Sequence, residues 1–566
     1  MGSPYCIRDD GEHAMNIQST IASMTTEERV GQMFMLAFAS DQLDEARILM
    51  AEHLVGGAYI SDENVPTAAA ALELCNTLQS FAAGTRLGIP LLLGADQEGT
   101  WSVMTAESAM GPGNMALGAT GDPDCAYRMY SVIARETTAV GLNVALGPAA
   151  DCNSNPHNSI IEMRSFGERP ELVAAMTAAA VRGLQDNGSI GAIKHFPGHG
   201  DTTLDSHRGL PTVTRSREEL KRIDLQPFAA GIQAGARMVM TSHIIFSALD
   251  PERPATLSPI ILGDLLRGEL GFDGVIVSDS MNMHSMKRNY DPADAAIQGF
   301  NAGVDLMMLA EEHYDHDAGQ YLANQRALIR AVIGAVEDGR ISRERVDDAV
   351  RRVLRLKRDA GWSTELLPDA TAQVGSSEHR ALELDVSRRA VSKLRDRHGL
   401  IPVDPAAPIT LVNTTERGAY AVLTRTRGIG PNQAKPAFDV FAEALRARCE
   451  RLSLVAAEDF AAGAVPDAGL IIAVTENYTL PGMDFDQRRQ AEIVSALHEA
   501  DGERLIVVGL RDPYELARFP DIGSYLCAFS FRPCAAQAAA DALLGLCEAK
   551  GRSPVSVPGT DVAAAG

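Results

Sequence analysis

Gly271-Phe-Asp-Gly-Val-Ile-Val-Ser-Asp-Ser280 holds a short apolar run, Val275–Val277, entered through glycine and left through Ser278 and Asp279. Unbroken apolarity, in place of the alternation of a half-solvated strand, marks a strand buried on both faces. The unit recurs along the chain. Met33–Ala39, Leu54–Ile60, Leu91–Gly94, Val144–Pro148, Gly191–Ile193, Met238–Met240 and Val304–Leu309 are further apolar runs that give way to polar or Gly-rich sequence. Between them lie amphipathic stretches long enough for crossover helices, such as Asp124–Val140, Pro170–Asp186, Arg217–Ala234 and Ser258–Glu269. Eight strands alternating with helices over roughly 340 residues is the arithmetic of a (β/α)8 barrel of the TIM type. A doubly wound open sheet is the rival, because periodicity does not separate closed from open.

Behind a strongly charged helix at 342–357, residues 360–377 are rich in Gly, Thr and Ser and read as a linker. A second strand-helix series follows, with Ile409–Val412, Leu452–Val455, Leu470–Val474, Leu505–Val508 and Tyr525–Phe529, and ends on a helix over Cys534–Cys547. The predicted organisation is a flexible N-terminal arm (1–16), an α/β barrel (17–360), a linker (361–384) and a C-terminal α/β sandwich domain (385–566). No GxGxxG motif or internal repeat is found.

Composition narrows the partners. The 74 acidic and 51 basic residues leave a formal charge of −23 over 566 residues, so nucleic acid and anionic membranes are disfavoured. Eight cysteines without a CxxC pair indicate neither a disulfide framework nor a Cys-based zinc site, and a reducing, cytoplasmic location is expected. The N-terminal residues lack the basic start and apolar run of a secretory signal, and no stretch is apolar enough to span a bilayer.

Barrels place reactive groups just past the C-terminal ends of their strands. Those positions are polar here: Asp96 and Glu98, Asp151, Lys194-His195, Ser242-His243 and Ser278-Asp279. Such a mouth suits a ligand rich in hydroxyls. The densest stretch runs Lys194-His-Phe-Pro-Gly-His-Gly-Asp-Thr-Thr-Leu-Asp-Ser-His207. His195 and His199 are four apart, but Pro197-Gly198 prevents the helix that would turn both toward one metal. Asp205-Ser-His207 differs: a carboxylate near an imidazole can orient the ring and stabilise its charged form, as proton transfer requires.

These motifs carry a resemblance. MTTEERVGQMFM (24–35), GADQEG (94–99), GLNVALGPAADCN (141–153), RSFGERP (164–170), KHFPGHGDTTLDSH (194–207), MTSHIIF (240–246) with PATLSP (254–259), and GFDGVIVSDSMNM (271–283) resemble the catalytic domain of glycoside hydrolase family 3, in its β-N-acetylglucosaminidase branch. SFRPCAAQAAADALLGL (530–546) and GRSPVSVPG (551–559) are similar to the family's C-terminal sandwich. The resemblance implies Asp279 as nucleophile, His207 as general acid/base with Asp205 as its partner, and Asp96, Arg164, Lys194 and His195 as the groups that grip the sugar, with His243 beside them. Asp151 is read as structural. Most retaining glycosidases use a second carboxylic acid where this branch has a histidine, whose reference pKa of about 6.5 needs no large shift.

A retaining exo-β-N-acetylglucosaminidase is thus the expected function, with a small carbohydrate as partner and neither metal nor organic cofactor. Phosphorolysis is the alternative. At about 4 Å and an effective dielectric near 20, a glutamate base would repel an incoming phosphate charge by roughly 4 kcal/mol, and a neutral imidazole does not. A non-catalytic sugar-binding protein is the alternative from another class. One departure from the family pattern stands out: Met104 occupies the position where many peptidoglycan-recycling members have arginine. Trp101 is either a stacking platform or core, and the loop from Tyr478 is a candidate cap over the pocket.

Overall fold

In the computed structural model the described residues are 16–104, 106–203, 209–310, 318–423, 435–460, 469–476 and 486–565. The expected N-terminal arm up to residue 15, the pair Asp205 and His207, and the loop from Tyr478 lie outside them.

Every apolar run of the first unit carries a strand. Phe34–Leu36, Gly57–Tyr59, Leu92–Ala95, Val144–Ala145, Ile190–Phe196, Met238–Thr241, Val275–Val277 and Met307–Leu309 form one 8-stranded sheet in chain order. The first strand pairs in parallel with the last, Phe34 opposite Met307, and a bridge from Val277 to Leu306 joins the seventh to the eighth. The sheet closes on itself as a (β/α)8 barrel, and the open-sheet alternative falls. Successive residues of one strand enter different cores. Val275 and Val277 join Met35, Leu92, Val144, Ile190 and Met238 in one cluster, while Ile276 joins Phe34, Leu93, Ile193 and Val239 in another that includes the helices. Two apolar environments, one inside the barrel and one beneath its helices, are why the runs do not alternate.

The expected helix over Arg217–Ala234 is instead two, Arg217–Arg222 and Leu225–Gln233. Pro227 has no N–H to give the Ile223 carbonyl, so one continuous helix would lack that bond there. The Ile223 carbonyl accepts from the Cys152 thiol instead, at 3.4 Å. Over Ile260–Glu269 the expected helix is wound as a π-helix.

All five runs of the second unit are strands of a 6-stranded sheet, in the spatial order Ser392–Asp396, Ser524–Cys527, Leu505–Gly509, Leu470–Thr475, Ile409–Asn413, Leu452–Val455. The edge strand Ser392–Asp396 runs antiparallel to its neighbour, making this a mixed α/β sheet. A helix, Ser377–Ala390, begins within the Gly- and Ser-rich segment. It is tied to the barrel through Glu136, whose buried carboxylate accepts from His379 Nδ1 (2.7 Å), Gly375 N (2.9 Å), Ser108 Oγ (2.7 Å) and Ala109 N (2.8 Å).

Near the start of the first and second strands, Lys357 is 1% exposed and its ammonium reaches Gln32 Oε1 at 2.8 Å. Burial pulls its pKa from 10.5 down to about 7. The unfolded chain then holds more protons than the fold between those values, so the stability this group contributes is full above 10.5 and is lost as pH falls toward 7. Lys357→Met removes the dependence. In urea titrations the stability of the wild type relative to that variant is expected to rise by about 2 kcal/mol from pH 7 to pH 9. A flat difference would mean that Lys357 stays charged in the fold.

Candidate active site

Four charged side chains from two barrel loops and one strand end meet at the mouth. Lys194, near the end of the fifth strand, is 2% exposed and lies between two carboxylates: Asp96 Oδ1 at 2.6 Å and Glu98 Oε1 at 2.7 Å. Asp96 and Glu98 leave the third strand, with Asp96 also accepting from the Tyr59 hydroxyl at 3.0 Å. Arg164, on the loop after the fourth strand, donates to Glu98 through Nε (3.0 Å) and Nη2 (2.8 Å). Trp101 stacks on this guanidinium, 3.6 Å from ring centroid to Cζ.

The electrostatics are those of mutual compensation. Burial works to raise the Asp96 and Glu98 pKa values, but Lys194 and Arg164 outweigh it and hold both carboxyls below their usual range. Burial would likewise deprotonate Lys194, yet Asp96 and Glu98 keep its pKa above the ordinary value. Asp96 remains half-buried, with Lys194 on one carboxylate oxygen and the Tyr59 hydroxyl on the other.

His195 follows Lys194 and is 5% exposed. Burial first, then the Arg164 charge, drives its pKa well below the ordinary value, against an opposing pull from Asp279. The ring is therefore neutral, with Nδ1 2.9 Å from Asp151 Oδ2 and Nε2 3.4 Å from Arg164 Nη2. With Asp151 ionised, Nδ1 carries the hydrogen and donates to it, leaving Nε2 as an acceptor for Arg164. Asp151 also takes the backbone N–H groups of His195 (3.1 Å) and His199 (2.7 Å), and burial raises its pKa to about 6. Asp151→Asn would turn an amide donor toward Nδ1 and force the other tautomer, with its N–H facing Arg164. A 10- to 100-fold fall in kcat/KM is expected with the fold retained, the cost of disturbing the His195–Arg164 contact at the mouth. Unchanged steady-state kinetics would show that the tautomer is irrelevant.

Asp279 stands two residues past the seventh strand and is half-buried, with Oδ1 accepting from Ser280 N at 2.8 Å. His243 is fully buried, and its ring nitrogens meet Thr256 Oγ1 and the Ser280 carbonyl, both at 2.9 Å. Through the Ser280 carbonyl His243 braces the turn that carries Asp279. Met104 is 2% exposed and packs in the apolar cluster beneath the helices. Just before the Asp205–His207 segment, Thr202 Oγ1 lies 2.9 Å from His199 Nδ1, and its carbonyl accepts from Asn155 Nδ2 at 3.2 Å.

Glu98 is the residue that sequence reasoning missed as a partner. Charge balance pointed to it: two buried cations, Arg164 and Lys194, cannot share one pocket with Asp96 as their sole counter-charge.

Residues 25–356 match the glycosyl hydrolase family 3 N-terminal domain. The chain belongs to glycoside hydrolase family 3. Relatives of this hydrolase extend along nearly its whole length. The chain is 30% identical to a beta-hexosaminidase A of Pseudoalteromonas piscicida, over 94% of this chain and 97% of that one. It is 29% identical to a beta-N-acetylglucosaminidase/beta-glucosidase of Cellulomonas fimi, over 98% and 97%. Among solved structures, a family 3 beta-N-acetylglucosaminidase from Paenibacillus sp. str. FPU-7 superposes with a TM-score of 0.82 at 31% identity, covering 95% of this chain and 99% of that one. The two-domain architecture is the family's. Among the described residues of this family 3 enzyme, no helix is long and apolar enough to cross a membrane.

Proposed function

We propose that this hydrolase is a retaining, exo-acting β-N-acetylglucosaminidase that releases terminal β-linked N-acetylglucosamine by double displacement. The observation that carries this reading is Asp279 at the seventh strand end, close enough to act electrostatically on His195, beside the Asp96–Lys194–Glu98–Arg164 network. The names of the Pseudoalteromonas, Cellulomonas and Paenibacillus relatives support the choice of sugar. Asp279 attacks the anomeric carbon, forming a glycosyl ester as the bond to the leaving oxygen breaks. His207, oriented by Asp205, gives that oxygen its proton and then takes one from the water that cleaves the ester. Asp96, Lys194, Arg164 and His195 hold the sugar hydroxyls through both steps.

Water is preferred over phosphate as acceptor. Arg164 and Lys194 each already face carboxylates, so among the described residues at the mouth neither cation is uncompensated.

Release of 4-nitrophenol from its β-N-acetylglucosaminide and β-glucoside, with and without phosphate, tests the reading. Faster release from the N-acetylglucosaminide, a phosphate-independent rate and a β-anomer as first product by NMR are expected. A sugar 1-phosphate product would establish phosphorolysis, and sugar binding without any turnover would leave a binding protein.

A further inference from the structure

Neighbouring strands of the C-terminal sheet, Leu505–Gly509 and Ser524–Cys527, pair in parallel. Just past their ends stand Arg511 and Arg532, 7% and 1% exposed. Both cross to the barrel. Arg532 Nε donates to the Gly99 carbonyl at 3.0 Å, and its Nη2 donates to the Thr100 carbonyl. Arg511 Nη2 pairs with Glu162 Oε2 at 2.6 Å, two residues before Arg164.

The turn that Arg532 grips is the one that sets Arg164. Glu98 N donates to the Trp101 carbonyl at 2.8 Å, closing a four-residue turn with Gly99 and Thr100 in the middle. Gly99 has φ +79, and a Cβ there would come within 2.9 Å of the Met110 carbonyl, so glycine is required. One end of the turn supplies the Glu98 carboxylate to the edge of the Arg164 guanidinium, and the other supplies the Trp101 indole to its face. The two middle carbonyls, those of Gly99 and Thr100, are the ones that accept from Arg532. Buried carbonyls without a donor are costly, so the bidentate cation from the second domain is what lets the turn close at this depth.

We propose that Arg532 is a positioning residue for the sugar site: it fixes the Glu98–Trp101 turn, and through it the orientation of Arg164, making the C-terminal domain part of the binding machinery. Arg511, on Glu162, is a second strut to the loop that carries Arg164. The inference rests on the proposed glycosidase reading for its kinetic readout only.

The test uses the full-length protein. Arg532→Met is expected to lower kcat/KM for the 4-nitrophenyl N-acetylglucosaminide 10- to 100-fold, and Arg532→Lys, which keeps one donor to the turn, to recover part of that loss. Trp101 and Trp362 are the two tryptophans, so in a Trp362→Phe background the emission reports Trp101 alone. That emission is expected to shift to longer wavelength in Arg532→Met as the indole leaves the guanidinium. A merely structural arginine would lower the melting temperature and leave both kcat/KM, within twofold, and the emission unmoved, which would overturn the proposal. Should Arg532→Met fail to fold, Arg532→Lys and Trp101→Phe are combined: non-additive losses support the coupling and additive losses overturn it. If the wild type turns over no glycoside, the functional reading fails while the emission shift still decides this one.

Discussion

Asp279→Gly is expected to cut turnover of a 4-nitrophenyl glycoside by roughly 10⁴ to 10⁶-fold, the scale on which removing a nucleophile acts. Binding should survive, because the groups proposed to hold the sugar follow other strands: Asp96 the third, Arg164 the fourth, with Lys194 and His195 in the fifth. The competitive inhibition constant of free N-acetylglucosamine should stay within a few-fold of the wild type. The cavity left by the missing carboxylate then admits a small anion. Azide, supplied in excess, should attack the anomeric carbon from the vacated side and restore release of 4-nitrophenol, giving an α-glycosyl azide. An azide-independent residual rate within tenfold of the wild type would show that Asp279 is a strand-end cap and that the nucleophile is elsewhere.

How far the chain could be read follows from what kind of information each feature needs. Strands buried on both faces betray themselves by composition alone, and the runs around Val275–Val277 and Met238–Met240 coincide with barrel strands nearly residue for residue. Closure of the sheet needed the Phe34–Met307 register, a contact between distant segments that no local pattern encodes. Ser392–Asp396 escaped because it is an antiparallel edge strand whose buried members are Ser392 and Arg395, the latter paired to Asp561 and to the Pro520 carbonyl. Polar edge strands offer no apolar run to detect. At the site the same division holds. That Asp96, Lys194, His195 and Asp279 stand at strand ends was legible from the apolar runs before them, whereas the placing of Trp101 and Arg532 appears only when two domains meet over a turn.

The largest effect on stability is expected at Glu98, and its size follows from what remains behind. Glu98 is 1% exposed, chelated by Arg164 and touched by Lys194. Glu98→Gln keeps the shape but withdraws the charge, so that two buried cations face Asp96 as their near counter-charge, and the new amide N–H₂ confronts a cationic donor. Breaking a buried pair in this way costs about 3 to 5 kcal/mol, a large share of a domain's stability. The pH dependence carries a second signature. Because the folded carboxyl lies below its usual 4.5, the stability Glu98 contributes is present above 4.5 and lost as pH falls through the folded value. Urea titrations of the variant should therefore show a loss at pH 7 that narrows below pH 4.5. On the proposed reading glycosidase activity should fall with it, since Arg164 loses the carboxylate that fixes its orientation and would turn toward Asp96. A loss under 1 kcal/mol at neutral pH, with kcat/KM preserved, would mean that Lys194 and Arg164 are solvated in the free enzyme and that the network forms only around a ligand.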